Sequence, residues 1–341
     1  MSAARAGSVA PLGVGVVGLG IGAEHARAYA ETDGCALRWL YDLEPARADS
    51  LVGELGQGAR AERYEAMLED PAVSIVSIAS YDEAHCAQVV AAARARKHIF
   101  VEKPLCRSEG ELALIMAAWR EAGAPHLASN LVLRAAPLYR WLRAAIAGGE
   151  LGTVYAFDGD YLYGRLHKIT DGWRSATPDY SVMQGGGVHL VDLMLWLTAQ
   201  TPVSVTAVGN RLCTTATAFR YDDYAVATFQ FPSGMIGRIS ANFGCVHRHQ
   251  HVVRVFGTEA TFIYDDQGAR LYRGRDPGSA ARPIELAPLP PAKGALIPPF
   301  VAGIAGAEDT RADTLHDFSV IRACLAADRA RLAGVAMPIE S

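Results

Sequence analysis

The chain has 341 residues, half of them hydrophobic and a fifth charged, with 32 basic against 36 acidic side chains and a formal net charge of -4. That length exceeds one ordinary core, so two domains of roughly 130 to 200 residues are expected. The charge balance offers no positive field for nucleic acid or anionic lipid, and no run of eighteen apolar residues spans a bilayer. The six cysteines are scattered, with no CxxC pair, and the opening MSAARAGSVAPLG lacks the apolar core of a signal peptide. A cytoplasmic protein with reduced thiols, acting on a small molecule rather than on nucleic acid or membrane, is expected.

From Gly13 to about Ala128, short apolar runs alternate with Ala-rich amphipathic stretches, the pattern of parallel strands with crossover helices. Residues 13–17, 36–41, 74–79 and 98–101 are the predicted strands. Ser108 with Glu111 predicts a capping box on a helix that begins at Glu109 and ends near Gly123. After Asn130 the spacing predicts a helix over 137–147, then alternating segments VYAFDGDYLY, DDYAVATFQF, MIGRISANF and HVVRVFG, which imply a largely antiparallel sheet. PSG at 232–234 joins two of these runs at hairpin distance. A helix over 187–197 interrupts them, and the Pro-rich stretch 276–299 reads as an extended surface loop. The expected organisation is therefore a doubly wound parallel α/β domain over 1–128 and a mixed α/β domain with an antiparallel sheet over 129–341.

The first strand runs straight into GLGIGAEHARAY, in which Gly18, Gly20 and Ala23 make a GxGxxA turn opening a helix. Gly18 permits the tight turn, Gly20 lets backbone approach a pyrophosphate, Ala23 allows close packing, and the helix amides attract the negative charge. Asp42 ends the second strand about twenty residues later, where a carboxylate accepts from ribose hydroxyls and repels a 2′-phosphate. Leu43, Glu44 and Pro45 follow it rather than an arginine, so NAD is preferred to NADP. VEKP at 101–104 sets Lys103 at the C-terminal end of a parallel strand, where ligands of open sheets gather, although a surface lysine paired with Glu102 reads equally well. In QGGGVHLVDLMLWL, glycines open a helix bearing His189 and, three residues on, Asp192; a core histidine bonded to backbone is the alternative there.

Together these motifs, with NLVLRAAPLYRWLRAAIAGGELGTV, resemble the Gfo/Idh/MocA family of glucose-fructose oxidoreductase and inositol dehydrogenase relatives, over nearly the whole chain. The resemblance implies a Rossmann domain followed by an α/β domain with a large open sheet used for homodimer or homotetramer contacts. It also implies NAD-dependent hydride transfer at a hydroxyl-bearing carbon of a sugar, cyclitol or nucleotide-linked sugar. Lys103 matches the family's catalytic lysine and His189 its histidine, and Pro104 is expected to be cis and to fix the lysine's aim. Cofactor contacts are expected from Gly18, Gly20, Ile21, Gly22, Ala23 and Asp42, and further along from Ser80, His85, Glu102 and Lys103. Substrate contacts are expected from Lys103, Asn130, Tyr163, Trp173, Arg174 and His189, with Arg134 structural beside them.

Two departures stand out. The phosphate loop is one residue shorter before its histidine than is usual in the family, and the acid normally four residues before the active-site histidine falls at Gly185. Either Lys103 and His189 act alone, or Asp179, Tyr180 or Asp192 supplies the missing group; Tyr180, whose phenol donates or accepts a hydrogen bond, is favoured. His247, His249 and His251 alternate along an expected strand and would share one face, but Arg248 among them and the lack of a carboxylate cluster favour a polar face or subunit contact, and no metal is expected. Two other functions remain open: a glycoside hydrolase that uses NAD for transient oxidation, and a dinucleotide-sensing regulatory protein, against which Lys103 and His189 argue.

Overall fold

The computed structural model describes residues 10–276, 278–306 and 308–340, so most of the leader reading falls on residues outside it. The chain forms two compact units. The first comprises residues 1–102, 113–130 and 292–314, and the second comprises 103–112, 131–291 and 315–341.

In the first unit β1 (Leu12–Val17), β2 (Cys35–Tyr41), β3 (Ala59–Arg60), β4 (Val73–Ile78), β5 (His98–Val101) and β6 (Leu127–Ser129) form a parallel sheet in the order β3-β2-β1-β4-β5-β6. Strand β1 is buried along almost its whole length because helices cover both faces, which is why it reads as a continuous apolar run. The chain winds outward from β1 to β3 and returns to β4, so the C-terminal ends of β1 and β4 are the switch point where open α/β sheets bind ligands. Helices α1 (Gly22–Ala30), α2 (Pro45–Leu55), α3 (Glu65–Glu69), α4 (His85–Arg94) and α5 (Glu109–Glu121) follow successive strands. Pro45 at the first turn of α2 and left-handed Gly56 after it mark its two ends. Ala26 and Tyr29 of α1 pack with Val14, Val16, Leu37 and Leu40 into one core.

After residue 130 the second unit contains α6 (Pro137–Ala147), β7 (Val154–Leu162), α7 (His167–Thr170) and α8 (Val188–Thr198). Strands β8 (Ser204–Asn210), β9 (Tyr224–Gln230), β10 (Ile236–Asn242), β11 (Gln250–Gly257), β12 (Thr261–Asp265), β13 (Gly268–Tyr272) and β14 (Arg282–Ile284) follow. With β7 and β15 (Met337–Pro338) they form a nine-stranded sheet, β14-β13-β12-β11-β7-β10-β9-β8-β15, in which only β7 and β10 run parallel. The Pro232–Gly234 turn does join β9 to β10, with Gly234 at φ +86. Helix α8 packs on β7 and α6, and burial around most of its circumference explains its largely apolar sequence, which His189 and Asp192 interrupt.

The stretch 276–299 is not simply a loop. It contains β14, paired with β13, and the start of α9 (Ile297–Ala305), whose Pro298 and Pro299 sit in the first turn, where a missing amide costs nothing. Ile297 and Val301 of α9 enter the first unit's core. The long α10 (Arg311–Ala333) completes the helices. Among the described residues no helix is long and apolar enough to cross a membrane.

Candidate active site

Where β1 ends, Gly18 adopts φ +81, and a Cβ there would lie 2.5 Å from the Ala79 backbone, so no other residue fits. A Cβ on Gly20 would meet nothing within 4 Å, which leaves its backbone open to a ligand. Helix α1 also approaches β1 closely at Gly22, where a Cβ would lie 3.2 Å from Val16 Cγ1 and Ala79 Cβ, and Ala23 packs against the same core. Ile21, 44% exposed, caps α1 without a side-chain bond, so the positive helix end is available to an anion.

Asp42 does more than await a ribose. Its Oδ2 accepts from the Leu19 amide at 2.6 Å and its Oδ1 from the Glu44 amide at 2.8 Å, so one carboxylate ties the glycine turn to the start of α2. Arg47 approaches Asp42 at 3.8 Å but is held by Glu44 at 2.8 Å. Beside them lies a cavity of about 120 Å³ lined by Tyr41, Asp42, Leu43, Pro45, Arg60, Ala61 and Glu62. Glycine turn, bare helix end, strand-end carboxylate and adjoining cavity are a donor and acceptor set that fits a dinucleotide.

One expected cofactor contact is revised. His85 is fully buried, with its Nε2 3.2 Å from the Ser80 carbonyl, so it supports the loop and presents no surface to a ligand. Ser80 Oγ donates to Gln88 Oε1 at 2.6 Å. Asn130, only 2% exposed, is likewise not a substrate-facing group: its Nδ2 donates to Glu102 Oε1 at 2.7 Å and to the Lys293 carbonyl at 3.1 Å. The same Glu102 oxygen lies 3.2 Å from Nε2 of His25, whose Nδ1 is 3.0 Å from Ser77 Oγ. His25 and Asn130 thus aim Glu102. The i, i+4 spacing of His25 and Tyr29, both fully buried, is the signal that would have placed this histidine on the inner face of α1.

The second unit opens at Lys103, whose bond to Pro104 is cis. Its Nζ donates to the Gly185 carbonyl at 3.0 Å. Gly185 lies in a single π-helical turn, Met183–Gly187, that precedes α8. Gly186 is demanded by its neighbours, since a Cβ there would overlap the Tyr161 ring and lie 2.8 Å from Phe243; one at 187 would meet only the flexible Met183 Sδ closely, at 2.5 Å. A Cβ at 185 would overlap Tyr180 Oη and sit 2.8 Å from its Cζ. The phenol of Tyr180, 6% exposed, therefore occupies the space where an acidic side chain at 185 would begin.

His189, partly exposed in the first turn of α8, stacks on Tyr161 at 6.3 Å and 22° and meets the edge of His251 at 5.9 Å. Tyr163 stacks on the same Tyr161 at 5.7 Å, and His249 meets it at 5.1 Å. Burial pushes the Tyr161 phenol up, against the opposing charges of Arg174 and Arg165 that face it. Arg174 lies over the ring of Trp173, 4.4 Å from its centroid, both half-buried in the segment after β7. The three histidines do not act as one set: His249 and His251 join the aromatic cluster, whereas His247 pairs with Asp266 at 3.0 Å. Positions 247 and 249 both precede β11, so the strand's alternation reaches only His251.

Asp192 is excluded as the missing acid. It is fully buried, bonded to Arg134 at 2.6 Å and His316 at 3.0 Å; burial pushes its carboxyl up, but those two charges hold it below the usual range. Arg134 also pairs with buried Asp317 at 2.6 Å, so this network is structural. Asp179 is exposed in a left-handed conformation, φ +54.

Comparison with known proteins gives two family matches: an oxidoreductase-family model described as an NAD-binding Rossmann fold over residues 12–128, and the Gfo/Idh/MocA C-terminal domain over 139–263. A 2,7-anhydro-N-acetylneuraminate hydratase of Escherichia coli is 26% identical over 74% of this chain and 67% of its own length. An inositol 2-dehydrogenase of Saccharopolyspora erythraea is 28% identical over 58% of this chain and 56% of its own, so the match spans little more than half of that relative. A levoglucosan dehydrogenase solved with NADH and levoglucosan superposes with TM-score 0.85 at 19% identity, over 97% of this chain and 99% of that one, which establishes the shared fold.

Proposed function

The chain belongs to the Gfo/Idh/MocA family of NAD-binding oxidoreductases, and from that premise we propose that it moves hydride between NAD(H) and a hydroxyl-bearing carbon of a sugar, cyclitol or nucleotide-linked sugar. The observation that supports this most is Lys103 held on the Gly185 carbonyl beside a turn packed by Tyr180 and Tyr161. When bound, NAD supplies the two-electron chemistry; the residues of this chain handle the proton and the pose. Gly18, Gly20 and the α1 amides would hold the pyrophosphate, Asp42 the ribose, and Glu102, aimed by His25 and Asn130, the cofactor's reactive end.

Lys103 takes the hydroxyl proton as the alcohol is oxidised and returns it on reduction. A carbonyl acceptor orients its Nζ without placing a full negative charge beside it, which a carboxylate at 185 would do. Tyr180 stands in for that acid as a hydrogen-bonding group, and His189 orients the hydroxyl. Tyr163, Trp173 and Arg174 supply ring faces and a cation of the kind that bind polyhydroxylated rings.

The test is to purify the protein, measure any NAD or NADH it carries, and follow reduced-nicotinamide absorbance with myo-inositol, anhydrosugars, aldoses and sugar nucleotides. Net NADH formation with one class, lost in Lys103→Met, is the expected result. Tightly held cofactor with product formed but no net redox change would replace this reading with transient oxidation, the direction suggested by the hydratase relative.

We also infer a homodimer or homotetramer joined through the outer sheet face, where Asp160 accepts from Arg238, Arg254 and Ser240 at 2.8–3.0 Å amid exposed Tyr155 and Ile236. Light scattering that gives a monomer would refute it. All six cysteines are free, which suits a cytoplasmic location.

A further inference from the structure

We propose that Asp328 is a positioning residue for Lys103, acting through Ser181 and Gln184 on the π-turn whose Gly185 carbonyl receives the lysine's hydrogen bond. Asp328 lies on α10, 14% exposed. Its Oδ1 accepts from Ser181 Oγ at 2.9 Å and its Oδ2 from Gln184 Nε2 at 2.8 Å. Ser181 Oγ in turn accepts from the Gln184 amide at 3.1 Å, and the Ser181 carbonyl accepts from the Gly185 amide at 2.8 Å. Every one of these bonds ends on the entry to the turn, on the N-terminal side of the peptide whose carbonyl faces Lys103.

A merely space-filling site on α10 would be filled by an apolar side chain, because burying a carboxylate is expensive unless its bonds are used. Burial pushes this carboxyl up, the Ser181 and Gln184 bonds and Arg331 oppose that, and Asp222 reinforces it. Arg331, 3.9 Å away, is itself committed to Asp222, so the carboxylate's close partners are the two side chains of the turn. Removing it frees Ser181 and Gln184 together, and with them the register of Tyr180 and of the Gly185 carbonyl.

The proposal rests on the hydride-transfer reading only in treating Lys103 as its working base, so the test reads Lys103 directly. The whole protein is acetylated with trace acetic anhydride, and the labelling of Lys103 is measured by mass spectrometry relative to Lys97. Lys97 is a good internal standard because it too is buried on carbonyls, those of Asp70 and Val73, at 2.9 and 2.8 Å. In Asp328→Ala the ratio should rise at least about threefold, since the ammonium loses its acceptor and the free amine becomes accessible. Asp328→Asn should stay near the wild-type ratio, because turning over the Gln184 amide remakes both bonds. Gln184→Leu, which cuts one limb, should fall between, and it decides the matter alone if Asp328→Ala does not fold. An unchanged ratio in Asp328→Ala or Gln184→Leu, with only a lowered melting temperature, would overturn the proposal. Turnover surviving in Lys103→Met would refute the hydride reading and leave the labelling result standing.

Discussion

Replacing Gly185 with alanine should destabilise the second unit through one identifiable contact. The added Cβ overlaps Tyr180 Oη and lies 2.8 Å from Cζ. The ring cannot swing clear, because it is 6% exposed and lies edge-on against Phe219 at 5.9 Å and Phe243 at 6.3 Å. Overpacking of this kind costs about 1–3 kcal/mol. Replacing a helical glycine by alanine ordinarily returns about 0.5–1 kcal/mol, so the net loss expected is about 0.5–2 kcal/mol. In a Tyr180→Phe background the hydroxyl is absent and the same substitution should cost about 1 kcal/mol less. Urea unfolding of the wild type, both single variants and the double variant measures this coupling. Additivity within about 0.5 kcal/mol would refute the placement of the phenol over Gly185. For the same steric reason, Gly185→Asp should lower turnover even though it restores an acid at that position.

Asp42→Ala removes an acceptor from two backbone amides as well as from the ribose, so NADH affinity should fall about 10–100-fold, equivalent to ~1.4–2.8 kcal/mol, in a nicotinamide fluorescence titration; unchanged affinity would remove Asp42 from the cradle. Arg134→Met leaves Asp192 and Asp317 buried without their cation and should cost about 3–5 kcal/mol, whereas adding Asp192→Asn and Asp317→Asn should recover much of that loss in the same urea assay. Burial, assisted by His126, lowers His98 from its ordinary value to about 4, and its Nδ1 accepts from the His126 amide at 3.1 Å. The unfolded chain therefore binds a proton first: stability is full above pH ~6.5, declines as pH falls, and levels off below pH ~4, a loss of ~1–2 kcal/mol after allowing for partial solvation of the ring. His98→Gln should flatten that slope between pH 6.8 and 4.5, and an unaltered slope would assign it elsewhere.

The parts of the fold that were legible in the sequence are those in which one local rule decides. Gly18 and the run into α1 announce a strand, turn and helix because no other residue tolerates that backbone, and PSG announces its hairpin likewise. Even there, details depend on neighbours. Ser108 Oγ accepts from the Glu111 amide at 3.2 Å, but the Glu111 carboxylate reaches the Arg107 amide at 2.7 Å instead of that of Ser108. Helix α10 was not legible because Asp317 and Asp328 fall among its buried positions, and their partners Arg134, Ser181 and Gln184 lie on distant parts of the chain. A buried acid breaks an apolar stripe until the group that neutralises or orients it is known. The prolines of 276–299 conveyed irregularity where, at the first turn of α9, they favour a helix.

The Gly185–Gly187 triplet shows why a departure from a family pattern is ambiguous when only spacing is available. As sequence, a glycine where an acid is usual reads as a lost functional group. In the structure the same glycine is required by the Tyr180 phenol, its carbonyl is the acceptor for Lys103, and Gly186 is required by Tyr161 and Phe243. The absence of an acid at 185, the packing of Tyr180 and the carbonyl's bond to Lys103 are then one coupled arrangement of a π-turn. It follows that Tyr180→Phe and Gly185→Asp probe different things: the first removes a hydroxyl and leaves the carbonyl in place, whereas the second displaces the carbonyl itself. If Tyr180 acts only by packing, turnover should survive the first substitution and fail with the second. If its hydroxyl takes part in the proton transfer, both should fail, and only the second should also disturb the acetylation ratio of Lys103.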